Sequence, residues 1–333
     1  MSVQPPAIAT TGPPLLEFEA VQLSYRQPGG RLTRAVDDLS LGIAPGEVLG
    51  LAGESGSGKS SLARSALGLL QPSAGRVLFD GRDLKSLTPA QWQDARRRMQ
   101  IVFQDPSSAL SPRRSIRQTL QEPLRLFRLA RPQDEQELMA ASLAEVGLSA
   151  DCLPRYPHQF SSGQRQRIAL ARALICRPDL LIADEAVAAL DVSVQAQILE
   201  LLQHLRGQRP LSILFISHDL AVLRQLADSV AVMYRGRLVE QAPAGRFFAG
   251  PQHPYARALL ASMPGMASDP AAAVTAGGGI SRARPEGGCV YRDRCPLVQD
   301  RCQTHYPSSR TVPGQAGHRV ECHLVGAAGQ DRA

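Results

Sequence analysis

Gly53-Glu54-Ser55-Gly56-Ser57-Gly58-Lys59-Ser60 decides the fold of this chain. The stretch fits the G-x-x-x-x-G-K-[ST] phosphate loop. An apolar run, Glu47-Val48-Leu49-Gly50-Leu51-Ala52, enters it, and a helical run, Ser61-Leu62-Ala63-Arg64-Ser65-Ala66-Leu67, leaves it. A strand feeding a glycine loop that opens a helix lets successive backbone N–H groups turn inward around phosphate oxygens. The helix N-terminus adds partial positive charge, Lys59 is placed for the β- and γ-phosphates, and the Ser60 hydroxyl for Mg²⁺. A turn with no ligand would put Lys-Ser at a helix start only by coincidence. The stretch therefore implies a nucleoside triphosphate site.

The remaining composition narrows the class. A chain of 333 residues can bury a full core and leaves room for one large domain plus something smaller. Apolar content of 44% and charged content of 20% are ordinary for a globular protein. No apolar run approaches the roughly 20 residues that cross a bilayer. Residues 1–14 are Pro/Thr/Gly-rich and lack the charged and apolar regions of a secretory signal, so a cytosolic chain able to dock on a membrane partner is expected. Net charge is +7, but the arginines are dispersed and aromatics are only 5%. The one short basic run, Arg96-Arg97-Arg98, sits in a predicted helix where a solvated face explains it. Nucleic acid is not expected as a ligand.

Along the chain, residues 15–25 alternate as a strand, 27–31 read as a turn around Pro28-Gly29-Gly30, and a second strand is expected near 35–43. The helix after the phosphate loop should end near Leu70, before Pro72. Residues 77–81 read as an edge strand and turn, and Met99-Gln100-Ile101-Val102-Phe103 as another strand. From about 105 to 176 the pattern is helical, with amphipathic segments at 116–129, 134–146 and 164–176. Strands return at Leu180-Leu181-Ile182-Ala183 and at 211–216, each followed by a helix, and 230–240 offers a final hairpin. The fold expected is α/β: a parallel P-loop NTPase sheet with an antiparallel β subdomain and a helical subdomain inserted between two of its strands. After about Pro264 the chain turns Gly/Ala/Pro-rich (271–279), a linker to a small Cys-containing C-terminal extension.

Three further segments supply hydrolytic chemistry. Leu180-Leu181-Ile182-Ala183-Asp184-Glu185 ends an apolar strand in two carboxylates, where α/β sheets place ligands. Asp184 is the candidate to hold Mg²⁺ through water, and Glu185 to act as general base on the attacking water. Ile216-Ser217-His218-Asp219 follows another apolar strand and offers His218 to the γ-phosphate, while Gln104 ends its own strand and offers an amide to water and Mg²⁺. Phe160-Ser161-Ser162-Gly163-Gln164 precedes a helix and makes a second anion-binding element, although Ser161 also suits an ordinary N-cap. Two such elements in one chain suggest a dimer in which each copy closes the other's site.

With these segments in hand, the chain resembles the nucleotide-binding subunits of ATP-binding cassette (ABC) transporters over roughly residues 15–262. The resemblance implies that Tyr25 stacks on adenine and that residues 53–61, ending at Ser61, form the Walker A loop. It further implies that Gln104 is the Q-loop, 160–164 the signature motif, Asp184 and Glu185 part of Walker B, Ala188-Ala189-Leu190-Asp191 the D-loop, and His218 the switch histidine. Val102-Phe103-Gln104-Asp105-Pro106, Arg155-Tyr156-Pro157-His158-Gln159-Phe160, residues 189–197 and Pro251-Gln252-His253-Pro254-Tyr255 are similar to ATPase subunits of peptide and nickel importers. That likeness implies ATP and Mg²⁺ as ligands. As partners it implies a second, different ATPase subunit, two integral membrane permeases and an extracytoplasmic solute-binding protein, with this chain on the cytoplasmic face of the membrane. Nickel, glutathione and metallophores stay open beside peptides as cargo. The alternative is a soluble ABC-type ATPase acting on ribosomes or DNA, but no second cassette or long coiled-coil insertion is visible. Two positions depart from the pattern: Ser162 stands where the signature usually has Gly, and Ala186 where Pro usually follows the Walker B glutamate.

Cys289-x5-Cys295-x6-Cys302-x19-Cys322 fits neither a zinc ribbon nor the ferredoxin spacing. Disulfides are not expected in a reducing compartment. Spacing leaves a [4Fe–4S] cluster, structural zinc and unligated thiols open, and resemblance to the peptide-importer extension favours the cluster. His305, His318 and His323 lie nearby as alternative ligands, with solvated side chains the expected reading. Cys152 and Cys176 are isolated and read as structural.

Overall fold

The structure, a computed structural model, describes residues 12–26, 32–105, 110–188, 190–263 and 287–325. The expected turn at 27–31, Pro106, Ala189 and the linker at 271–279 lie outside the described residues.

Two sheets organise the chain. β1 (Leu16–Arg26) and β2 (Leu32–Ile43) pair antiparallel, and β1 also pairs with β4 (Ala74–Phe79), giving the order β2-β1-β4-β5 with β5 at Arg82–Asp83. The strand near 77–81 is therefore interior rather than an edge, because two-residue β5 covers its outer side. Between these sheet elements lie β3 (Val48–Ala52), which enters the phosphate loop, and α1 (Lys59–Ala66). α1 is shorter than expected: the Leu69 N–H turns back onto the Arg64 carbonyl at 2.9 Å and closes the helix well before Pro72.

The second sheet has the order β11-β12-β10-β9-β3-β8-β7-β6. Its parallel core comprises β3, β6 (Met99–Phe103), β7 (Leu180–Asp184), β8 (Ser212–Ile216) and β9 (Ser229–Tyr234). Every residue of β3, β7 and β8 is buried, as strands covered on both faces must be. Successive side chains alternate between two cores: Leu49, Leu51, Leu180, Ile182, Leu214 and Ile216 face one side, and Val48, Ala52, Leu181, Ala183, Ile213 and Phe215 the other. The first core is shared with α1 and the antiparallel sheet. The second is shared with the inserted helices α3 (Ile116–Leu126), α4 (Glu135–Glu145) and α5 (Ser162–Leu174), which follow α2 (Pro89–Arg98) and β6.

α6 (Val192–Gln208) and α7 (Leu220–Leu226) connect the later strands. β10 (Arg237–Pro243) returns antiparallel on β9, and α8 (Ala244–Ala249) and α9 (Pro254–Ala261) follow. The cysteine-bearing extension does not stand apart from this core. Its strand β12 (Arg319–Val320) pairs with β10, and β11 (Arg310–Thr311) pairs with β12, so the extension continues the central sheet. Among the described residues no helix is long and apolar enough to cross a membrane.

Candidate functional site

Register in the parallel core aligns the C-terminal ends of four strands. Phe103 pairs with Asp184, Asp184 with Ile216, and Ile216 with Leu51. The residues just beyond these positions, Gln104, Glu185, Ser217 with His218, and Gly53, therefore emerge along one sheet edge, where open α/β sheets bind ligands.

The phosphate loop leaves β3 at this edge. Gly58 is the N-cap of α1 at φ +107, and a Cβ there would stand 2.3 Å from the Ala35 carbonyl oxygen, so only glycine fits. It contributes no side-chain cap, which leaves the first N–H groups of α1 to an anion. Lys59 is buried, and its Nζ donates to the carbonyls of Gly53 (2.8 Å) and Glu54 (2.9 Å). Burial lowers its pKa, opposed by the carboxylates of Glu185, Asp184 and Glu54. The Ser60 hydroxyl donates to Asp184 Oδ1 at 3.0 Å, bringing together two hard oxygen donors from α1 and β7. Burial holds the Asp184 carboxyl above its ordinary value; the Ser60 hydrogen bond works against this and the neighbouring Glu185 charge with it.

Glu185 is held in the left-handed region at φ +50, with its N–H on the Ile216 carbonyl (3.0 Å), and its carboxylate lies 3.6 Å from His218 Nδ1. Tyr25 donates its hydroxyl to Ser61 Oγ at 3.1 Å, which ties the first antiparallel strand to α1.

The signature segment is built separately. Ser161 caps α5: its Oγ accepts from the Gln164 N–H (3.3 Å), and Gln164 Oε1 accepts from the Ser161 N–H (3.1 Å). This reciprocal box satisfies the ordinary N-cap reading as well. Ser162 is exposed in the first turn, while Gly163 is buried against α6, where a Cβ would meet Val194 Cγ1 at 2.6 Å. Asp191 caps α6 by accepting from the Val194 N–H (2.9 Å), so the N-terminal ends of α5 and α6 meet at Val194. Ala186, the other departure, is buried. Lys59, Ser60, Asp184, Glu185 and His218 thus converge within the chain. Among the described residues, the hydrogen bonds of 161–164 do not reach the phosphate loop.

Two contacts were not legible in the sequence. The Glu54 N–H donates to the Tyr255 hydroxyl (2.9 Å), and Arg294 Nη1 lies 3.0 Å from Glu54 Oε1. The run 251–255 pointed at Tyr255 as a marker but gave it no role.

Cys289, Cys295, Cys302 and Cys322 line one small cavity with His253, Tyr291 and His323. All four are free thiols, and burial raises Cys289 to about 11 and pushes Cys295 and Cys322 upward. Among the described residues no group of three or more His, Cys, Asp or Glu is arranged to hold a metal ion. His318 is not solvated as expected. It is fully buried, with Nε2 on Glu240 Oε1 and Nδ1 on Gln315 Oε1, each at 2.7 Å, because a polar group with no water in reach must be satisfied internally.

Comparison with known proteins agrees with this architecture. The ABC transporter family matches residues 36–188, and the oligopeptide/dipeptide transporter C-terminal region matches residues 239–302. The Brucella ovis protein BOV_A0347, named for peptide import and ATP binding, is 44% identical over 94% of this chain and 98% of its own length. The Sinorhizobium fredii protein y4tS, named as an ATP-binding protein of a peptide ABC transporter, is 47% identical over 93% of this chain and 90% of its own length. Among solved structures, cbiO1 of Clostridium perfringens, part of the ABC transporter complex cbiONQ, superposes with a TM-score of 0.63 at 30% identity, covering 72% of this chain and 92% of that one. The dimeric ATP-binding cassette MJ0796 with ADP and Pi superposes equally, at 0.63 and 25% identity, covering 69% of this chain and 98% of that one. With the phosphate loop, the carboxylate strand end and a C-terminal region of the oligopeptide/dipeptide type in one continuous fold, the chain belongs to the ABC transporter family as one of its ATPases.

Proposed function

We propose that this chain is the ATP-hydrolysing motor subunit of an importer for peptides or a related small solute. The observation that carries the reading is structural continuity: the region of oligopeptide/dipeptide type begins on β10, which pairs with β9 in the same sheet whose edge holds the phosphate loop. The names of the Brucella and Sinorhizobium relatives support peptides as the cargo class. Residues 15–262 act as the nucleotide-binding domain, with the helical subdomain at about 105–176, and 263–333 as the extension.

The chain's own residues divide the work. The residue 53–61 loop binds the triphosphate, and Tyr25 stands at the adenine end. Ser60, Asp184 and Gln104 would hold Mg²⁺, and the 3.0 Å approach of the Ser60 and Asp184 oxygens fits a hard-cation donor set. The cation held there would supply positive charge against the triphosphate. Glu185 takes the proton of the attacking water, and His218 orients the γ-phosphate against it. Ser161, Ser162, Gly163 and Gln164 present an N–H-rich helix end to the site of a second ATPase subunit, with Asp191 beside it. The dimeric MJ0796 structure supports that pairing by analogy. Closure of the pair drives two membrane permeases fed by a solute-binding protein, with this chain peripheral on the cytoplasmic face.

The four thiols line one small cavity together with His253 and His323, and the resemblance to the peptide-importer extension supports a [4Fe–4S] cluster as the group the cysteines would hold. A brown preparation with iron and acid-labile sulfide in equal amounts is the expected result. Zinc alone, or a metal-free colourless protein, overturns it.

The function is tested by expressing the chain with its neighbouring permeases in vesicles. ATP-dependent uptake of a labelled short peptide, lost with Lys59→Ala, is expected. Recovery of the chain on ribosomes or DNA, with no membrane partner, overturns the transport reading.

A further inference from the structure

Glu54 is an unexpected residue to find at the mouth of a triphosphate site, since its carboxylate repels the ligand. Its surroundings account for it. All three polar functions of Glu54 are engaged: its N–H with the Tyr255 hydroxyl at 2.9 Å, its carbonyl with Lys59 Nζ at 2.9 Å, and its carboxylate with Arg294 Nη1 at 3.0 and 3.2 Å. Tyr255 belongs to α9, and Arg294 closes a short 3-10 turn, Arg292–Arg294, directly before Cys295. Arg294 is only 11% exposed and Glu54 27%, so bulk salt screens this pair less than an open surface pair. Behind the pair, Tyr234, Tyr255 and Tyr291 form a buried aromatic cluster with ring centroids 4.5 to 5.4 Å apart. Tyr234 ends β9, the strand bonded to β3, which carries the loop. A continuous path of packed and bonded side chains therefore joins the cysteine cavity to Lys59.

We propose that Arg294 is a positioning residue for the phosphate loop, neutralising Glu54 and fixing it against Tyr255, so that the cysteine-bearing extension sets the affinity of the ATP site. The proposal rests on reading the loop as the ATP site, and on nothing about cargo. Without Arg294, Glu54 keeps its charge, competes for Lys59 and repels the triphosphate. The defect belongs to ATP binding and not to the chemical step. By linkage, ATP must in turn stabilise the extension around Cys289 to Cys302.

The test uses the full purified chain and a fluorescent ATP analogue. Arg294→Gln is expected to weaken binding about tenfold, within the span of ordinary allosteric couplings. Arg294→Lys should recover part of the loss, and Glu54→Gln in the Arg294→Gln background should recover most of it, because the uncompensated charge is gone. A purely structural role for Arg294 would not be rescued that way. In the assembled transporter, Arg294→Gln should raise KM for ATP and leave kcat nearly unchanged. Should Arg294→Gln fail to fold, hydrogen exchange of the wild-type chain still decides: ATP should slow exchange across 287–304. Wild-type affinity in Arg294→Gln, a double variant as weak as the single one, or exchange indifferent to ATP overturns the proposal. A wild-type chain that binds no ATP at all overturns the site reading itself.

Discussion

His218 Nδ1 lies 3.6 Å from Glu185 Oε2, so the ends of adjacent strands β8 and β7 bring an imidazole and a carboxylate to one point of the sheet edge. The separation exceeds a hydrogen bond, as is common before substrate is bound. Glu185 is held there by an unusual backbone, φ +50, and strain of this kind persists where a side chain must be aimed. Glu185→Gln keeps the shape and removes the base, so it should lower kcat by about 10²- to 10⁴-fold and leave ATP binding intact. Steady-state hydrolysis beside equilibrium ATP binding measures both. Multiple turnover at the wild-type rate would remove Glu185 from the base role.

The Ser60–Asp184 contact predicts a separation of stability from activity. Asp184 is buried, its charged form is disfavoured by burial, and the Glu185 charge adds to the penalty. Asp184→Asn removes a costly charge but also a cation ligand. The variant should unfold at an equal or higher temperature than wild type while needing at least about tenfold more Mg²⁺ for half-maximal hydrolysis. An unchanged Mg²⁺ requirement, or a clear fall in melting temperature, contradicts the assignment.

Gly163 predicts a steric effect at the signature segment. Its Cβ position falls 2.6 Å from Val194 Cγ1, closer than carbon atoms approach, and both helices start there. Gly163→Ala must push α5 away from α6 and move Ser161 and Ser162 with it. A shift of about 1 Å at a catalytic surface can cost on the order of 10²-fold in rate. The variant should bind ATP as monomer at wild-type affinity yet hydrolyse it at least about tenfold more slowly in the assembled complex, with Val194→Ala restoring part of the rate. Full activity in Gly163→Ala would show that the signature tolerates displacement.

These elements differ in how far the sequence announced them. The phosphate loop, Asp184-Glu185 and His218 each follow a short apolar run, and a run too short for a helix that alternates with helical segments reads as a strand covered on both faces. Local pattern therefore located the sheet edge. It could not locate partners brought in by long-range packing: Glu54 meets Arg294 across 240 residues, and no periodicity encodes that distance. The status of β4 was missed because a two-residue strand such as β5 leaves no alternation to read. The burial of His318 is not legible locally because it depends on Glu240, which lies 78 residues earlier in the strand of a hairpin.

The Glu240–His318 contact carries the last prediction. Glu240 has almost no solvent exposure, and its carboxylate accepts from the N–H groups of Gln252 (2.8 Å) and His253 (2.7 Å) as well as from His318 Nε2–H. It thereby ties β10, the segment leading into α9, and the strand pair of the extension. Breaking one side of such a buried pair typically costs about 3–5 kcal/mol, because the remaining group stays desolvated. His318→Ala leaves Glu240 two backbone donors, so its cost should fall near the lower end, at about 3 kcal/mol, and be felt locally. Hydrogen exchange should show lost protection across 310–322, with the parallel core unchanged. Because β12 pairs with β10 and β11 and not with the phosphate-loop strand, ATP affinity should stay at the wild-type level in this variant, whereas Arg294→Gln weakens it. Loss of protection throughout β3, β7 and β8 would mean instead that the extension and the nucleotide domain unfold as one unit.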